Sequence, residues 1–145
     1  MLPSITAVAL YSASLRPHTL QPRPMIKSLK FASVPVRDQD RALRFFTEQV
    51  GFQIATDQQF SETQRWIELR IPGADTRIVL FTPKGHEDRI GTFTGLSFVT
   101  DDVIATYKEL SARGVEFTGE PKVEQWGSSA IFKDPDGNSF VLSSR

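Results

Sequence analysis

Hydrophobic and polar positions follow two rhythms along this chain, and the change between them happens twice. Between Asp38 and Gly51, the apolar residues Ala42, Leu43, Phe46 and Val50 recur at three- and four-residue spacing, which puts them on one face of a helix. Asp38 can accept hydrogen bonds from the free N–H groups of a first helical turn, and Gly51 can take the left-handed conformation that ends one. After Gly51 the alternation becomes twofold, and strands are predicted near residues 52–57, 65–71 and 77–82. Pro72-Gly73 separates the last two, and Pro83-Lys84-Gly85 closes the set. Val99-Thr-Asp101 opens the same succession again. Ala105 and Gly114 follow it at the offsets at which Ala42 and Gly51 follow Val36-Arg-Asp38, a period of 63 residues. Here Ile104, Tyr107, Leu110 and Ser111 form the helix face, and strands are predicted near 115–118, 128–133 and 139–143. Asp134-Pro-Asp-Gly-Asn138 reads as the hairpin turn before the last strand, because Pro pre-sets φ and Gly or Asn accepts a positive φ. With one strand ahead of each helix, the chain reads as an α+β fold of two tandem βαβββ modules, about 25–85 and 92–145. The helices are expected to start near Asp38 and Asp101.

Composition narrows the picture. A chain of 145 residues and 16.3 kDa fits one domain with one core. Seventeen basic and 17 acidic side chains cancel, and no Lys/Arg block stands out, so nucleic acid and anionic membrane surfaces are not expected partners. The absence of cysteine excludes disulfides, thiolate metal sites and cysteine nucleophiles, and is compatible with a cytoplasmic setting. No apolar run reaches the roughly 18 residues of a membrane span. Residues 1–24 stand apart: they hold Pro3, Pro17, Pro22 and Pro24, two arginines and no acid. Residues 5–15 are apolar, but no charged side chain precedes them as in a secretory leader. The expectation is a disordered or non-native extension ahead of a single domain at 25–145.

The repeat, the Val-x-Asp helix openings, and Phe-Lys-Asp-Pro-Asp-Gly-Asn138 preceded by Gln-Trp126-Gly127 together resemble the glyoxalase/bleomycin-resistance/extradiol-dioxygenase (vicinal oxygen chelate) superfamily over residues 25–145. The resemblance implies curved mixed sheets enclosing a cleft, usually completed across a homodimer. It also implies a metal site in the metal-dependent members, with four His or Glu ligands at positions that here hold Phe31, Glu68, Thr94 and Val141. Only Glu68 is a good ligand, since a phenyl ring and an isopropyl group have no lone pair and a Thr hydroxyl is a poor donor to divalent metals. His18 and His86 are the two histidines of the chain, and His86-Glu-Asp88 reads as an exposed polar loop. No metal and no cofactor are therefore expected, and the chain is closest in character to non-metal members.

Strand alternation then sorts the faces. Ile67, Leu69 and Ile71 point to the helices, and so do Ala32, Val34 and Val36. Trp66, Glu68 and Arg70 point into the cleft with Phe31, Ser33 and Pro35, joined by Thr94, Leu96 and Phe98 from the second module and by Val141. Trp126 is placed at the cleft edge by the resemblance alone. The pocket expected is thus Phe31, Trp66, Glu68, Arg70, Thr94, Phe98, Trp126 and Val141: aromatic and apolar, with one acid and one base. Each has a bland counterpart: Phe31 and Phe98 as fillers of a collapsed cleft, Trp66 as an interface residue, Glu68 as a partner of Arg70 or Arg77. The leading reading is a dimeric protein binding an apolar or aromatic small molecule without metal. The alternative is an enzyme of the same superfamily, lyase or dioxygenase-like, using Glu68 as metal ligand or general base. A third is an interaction module whose cleft is closed by its own side chains.

Overall fold

The computed structural model describes residues 20–145; the first 19 residues, with His18 and most of the expected extension, lie outside it. The first module runs β1 (Phe31–Pro35), α1 (Gln39–Arg44), β2 (Gln53–Gln59), β3 (Arg65–Arg70) and β4 (Arg77–Phe81). The second runs β5 (Phe93–Val99), α2 (Val103–Ala112), β6 (Glu116–Phe117), β7 (Lys122–Glu124), β8 (Gly127–Lys133) and β9 (Ser139–Ser143). The tandem βαβββ order is as the alternation predicts, with β7 as an added short strand. Each sheet is mixed. The first is ordered β1-β4-β3-β2, and the second β5-β9-β8-β6 with β7 also on β8; β1 and β5 run parallel to β4 and β9. No helix among the described residues is long and apolar enough to cross a membrane.

The helix starts are capped as their acids suggest, with one shift. Asp38 accepts from the Arg41 N–H at 3.1 Å, but in the second module the capping residue is Asp102, accepting from Ala105 at 3.0 Å, in place of Asp101. The caps are therefore 64 residues apart, while Gly51 (φ 97°) and Gly114 (φ 90°) remain 63 apart. The difference is absorbed by the first helix, which continues as a π-helical turn over Phe45–Val50 and so holds one residue more per turn. That extra residue turns both Phe45 and Phe46 inward, 4% and 0% exposed. In α2 the buried face is Val103 and Leu110, and the expected Ile104 is exposed.

Both sheets put one face into a single core. Val34, Ile67, Leu69, Ile78 and Leu80 of the first meet Ala130, Phe132, Phe140 and Leu142 of the second, with α1 and α2 packed among them. Aromatic rings bridge the modules: Phe46 lies 5.9 Å from Phe140, and Phe52 lies 5.7 Å from Phe98. The Asp134–Asn138 turn also joins them. Asn138 is fully buried; its amide donates to the Pro35 carbonyl and to Asp134 Oδ2, both at 2.8 Å, and its Oδ1 accepts from the Gly91 N–H at 2.7 Å. Asp136 completes the pin by accepting from Arg41 at 2.7 Å. Because the two sheets share this core, their other faces both turn away from it.

Candidate functional site

The open face of the first sheet is built in rows across its strands. Ser33, Val79, Glu68 and Thr56 form one row; Phe31 lies beside Arg77, and Pro35 beside Phe81. Period-two alternation puts Trp66 and Arg70 on the same side as Glu68. Phe31 meets Trp66 edge-to-face, with centroids 5.5 Å apart and planes at 75°. The indole N–H of Trp66 donates to Glu68 Oε2 at 2.9 Å, and Arg77 approaches Glu68 Oε1 at 3.5 Å. Glu68 thus has both oxygens engaged, with a side chain only 15% exposed. Of the sequence-predicted residues, Phe31, Trp66 and Glu68 come together here, and Arg70 stands exposed on the same face.

Next to this face, between the ends of β1 and β4 and the β2–β3 hairpin, lies a cleft of about 800 Å³. Trp66, Phe81 and the exposed Phe60 supply its rings, and Arg37, Arg65, Lys84 and Glu87 its charges. Sequence reasoning did not find Phe60, Phe81, Arg37 or Lys84. Phe81 follows from the alternation of β4, where Arg77, Val79 and Phe81 oppose Ile78 and Leu80; the two cations sit just past strand ends, where alternation gives no signal.

The second module departs from expectation. Phe98 does not reach the Trp66 cleft: it packs on Phe52, Phe132 and Phe140 at 5.7–6.1 Å, pairs with Leu142 as Val34 pairs with Leu80, and borders a separate cavity of about 520 Å³ with Phe52, Ile71 and Val99. Leu96 packs against the core with it. The reason is the one-residue shift in the repeat. At the strand the true offset is 64, so Ser97 and Val99 stand where Ser33 and Pro35 stand. Thr94, expected to line the cleft, uses its hydroxyl locally, donating to the Ser139 carbonyl at 2.8 Å and accepting from the Leu96 N–H at 3.2 Å. These bonds brace the irregularity in β5, where Gly95 has φ 75°. The open face of this sheet is instead the rows Ser97–Val141–Ile131 and Val99–Ser143–Ser129. Val141 is on it as expected. Trp126 is 72% exposed at the β7–β8 turn and does not line the first-module cleft within one chain.

The four positions that hold ligands in metal-dependent relatives do not fit a metal here. Phe31 and Val141 carry no donor atom, the Thr94 hydroxyl is already bonded, and Glu68 is held by Trp66 and Arg77. Glu68 and Val141 also lie on open faces of different sheets. His86 sits at the start of a short 3-10 turn, Glu87–Arg89, and among the described residues no three His, Asp or Glu side chains come together as a metal site would need. Around the cleft mouth, Arg65 bonds both oxygens of Asp57 at 2.8 Å and Asp40 at 2.6 Å. The Arg65 hydrogen bonds hold the Asp57 carboxyl below its usual range, and the two acids raise the Arg65 guanidinium in turn.

Comparison with known proteins agrees with this architecture. The chain is 40% identical over 121 residues to the uncharacterised protein YetH of Bacillus subtilis (strain 168), covering 81% of this chain and 98% of YetH. It superposes with a TM-score of 0.76 on a glyoxalase/bleomycin resistance protein/dioxygenase superfamily member from Sphaerobacter thermophilus, at 37% identity over 84% of this chain and 100% of that one. With TnmS3, an antibiotic binding protein from Streptomyces sp. CB03234, the TM-score is 0.73 at 39% identity, over 84% and 98% of the two chains. The profile of the Glyoxalase/Bleomycin resistance protein/Dioxygenase superfamily matches residues 28–142, across both modules, and the chain belongs to that superfamily.

Proposed function

We propose that this protein binds a planar apolar or aromatic small molecule on the Trp66 face, without a metal, in a cleft completed by a second copy of the chain. The observation that carries the reading is the Phe31–Trp66–Glu68 arrangement. An indole is fixed by a hydrogen bond and an edge-on ring beside an 800 Å³ cleft, at the place where a metal site would need free donors. A preformed, ring-lined concavity with few polar groups is what small-molecule sites commonly are. The antibiotic-binding activity of TnmS3 supports the same class of function.

Dimerisation is part of the proposal. The open face of the second sheet exposes Val99 (56%) and Ile131 (37%), with Val123 (67%) and Trp126 (72%) at its margin. Apolar surface of this kind calls for cover. Neither open face can cover the other within the chain, because both turn away from one core. A second copy, laying its second module over the first module of its neighbour, covers both and would bring the partner's Val141 and Trp126 toward the Trp66 cleft.

The base role for Glu68 is disfavoured, since its carboxylate is already shared between an indole N–H and a guanidinium. Calorimetric titration with neutral 2-naphthamide tests the reading. Saturable binding on the order of 100 µM is expected for a ligand of this size, weakened about tenfold or more by Trp66→Ala. No saturable heat up to the solubility limit of the probe overturns it.

A further inference from the structure

We propose that the ligand of the Trp66 cleft carries one negative charge, its ring lying against Trp66 and its anionic group set between Arg37 and Lys84. This rests on the cleft reading above and adds the charge of the ligand to it.

The argument is an inventory of charge. Four charged side chains line the cleft: Arg37, Arg65, Lys84 and Glu87. Arg65 is already neutralised, with its three nitrogens bonded to Asp57 and Asp40 at 2.6–2.8 Å. The side-chain nitrogens of Arg37 and Lys84 have no acid within 4.0 Å among the described residues, unlike the six ion pairs formed elsewhere, and the Asp136 carboxylate that accepts from the Arg37 main-chain N–H at 3.4 Å is paired with Arg41. Glu87 is turned to the Gly85 N–H at 3.1 Å. That hydrogen bond, with one from its own main-chain N–H and the nearby charge of Arg37, keeps its carboxyl below the usual range, so it stays ionised near neutral pH. The cleft is left with two cations against one anion. Glu68 does not change the account, because its oxygens are turned to Trp66 and Arg77 and it does not line the cleft.

Position makes the imbalance usable. β1 and β4 are adjacent and parallel, with Pro35 beside Phe81, so Arg37 and Lys84 leave neighbouring strand ends on one side of the cleft. Trp66 is the second residue of β3, the next strand over. A third cation, Arg89, lies over the Phe81 ring, 5.8 Å from its centroid, and adds to the positive field. An anionic substituent on a ring seated at Trp66 would gain charge-assisted hydrogen bonds from both free cations. A cationic substituent would meet a net positive rim.

The test compares 2-naphthoate, 2-naphthamide and 2-naphthyltrimethylammonium on the intact protein by calorimetry. 2-Naphthoate is expected to bind about tenfold more tightly than 2-naphthamide, and the ammonium compound more weakly than either. The naphthoate preference should shrink between about 20 mM and 300 mM salt as the charges are screened. Arg37→Met and Lys84→Met keep the aliphatic stems, alter exposed positions, and should each reduce the ratio of naphthoate to naphthamide affinity while leaving melting temperature unchanged. Equal affinity for the acid and the amide overturns the inference and leaves the cleft reading standing. A naphthoate preference that survives both substitutions overturns it as well, by moving the anion elsewhere. Failure of all three compounds to bind overturns both.

Discussion

Removal of the Asn138 amide should unfasten the two modules and loosen the cleft rim with them. Asn138 is fully buried, and three hydrogen bonds of 2.7–2.8 Å tie it to Pro35, Asp134 and Gly91. In Asn138→Leu the branching and the number of heavy atoms are kept, so no cavity is opened and the loss is chiefly that of the hydrogen bonds. At about 1 kcal/mol for each bond, plus the cost of leaving the Pro35 carbonyl and the Asp134 carboxylate short of a donor in a buried setting, the loss sums to about 3–4 kcal/mol. That is a large part of the 5–15 kcal/mol typical of a domain, so the variant should fold but melt roughly 10–15 °C lower. Urea unfolding followed by tryptophan emission reads the change as a lower midpoint with an unchanged slope. Pro35 is followed by Val36 and Arg37, which line the cleft, so ligand affinity should fall more than the melting shift alone accounts for. A cost below about 1 kcal/mol would refute the reasoning, because the turn would then be an ordinary hairpin and not a clasp between modules.

Two carboxylates give stability opposite slopes with pH. Burial, outweighing the hydrogen bonds from Asn138, pushes Asp134 above its ordinary 3.8, so the folded state holds its proton more tightly. Its contribution is therefore fully present below pH 3.8 and is lost as pH rises through the higher folded value. Asp57, lowered by its Arg65 hydrogen bonds, contributes stability above pH 3.8 that is lost as pH falls through its folded value. Urea midpoints from pH 2 to 7 should show the acid-side loss shrink in Asp57→Asn, and a midpoint profile identical to the parent would contradict the assignment. Val99→Glu, which places a charge on the open face of the second sheet, should convert a dimer to a chain of 16.3 kDa by light scattering and weaken 2-naphthamide binding. A parent protein already monomeric at micromolar concentration would contradict the assembly.

Elements with a local cause were legible in the sequence. The face of the first helix, its Asp38 cap and the β3 alternation of Trp66 and Glu68 against Ile67 and Leu69 follow from periodicity and single-residue chemistry, and they place half of the candidate site. The second module was misread by one residue because the extra residue is hidden inside the π-helical turn at Phe45–Val50, where no sequence rule marks it. Gly51/Gly114 obey a 63-residue period beyond that turn, whereas the caps and the strands before it obey 64, so the Ala42/Ala105 match, which precedes the turn, is a false register. A slip of one residue exchanges the faces of a strand, which is why Leu96 and Phe98 were expected in the cleft and are found packed against the core. The Asp-Pro-Asp-Gly-Asn turn was read correctly as a turn. Its role as a clasp, through Asn138 on Pro35, depends on contacts across 103 residues that local pattern does not carry.

The central claim is that Trp66, with its indole held by Glu68, forms a ligand platform that needs no metal. One measurement addresses it most directly: calorimetric titration of 2-naphthoate into protein before and after exhaustive dialysis against a chelator, with metal content determined on both samples. The account predicts the same saturable affinity in both, with less than a stoichiometric amount of transition metal in either. Binding that disappears on chelation, returns with zinc, nickel, iron or manganese at one equivalent per chain, and is absent in Glu68→Ala would contradict it.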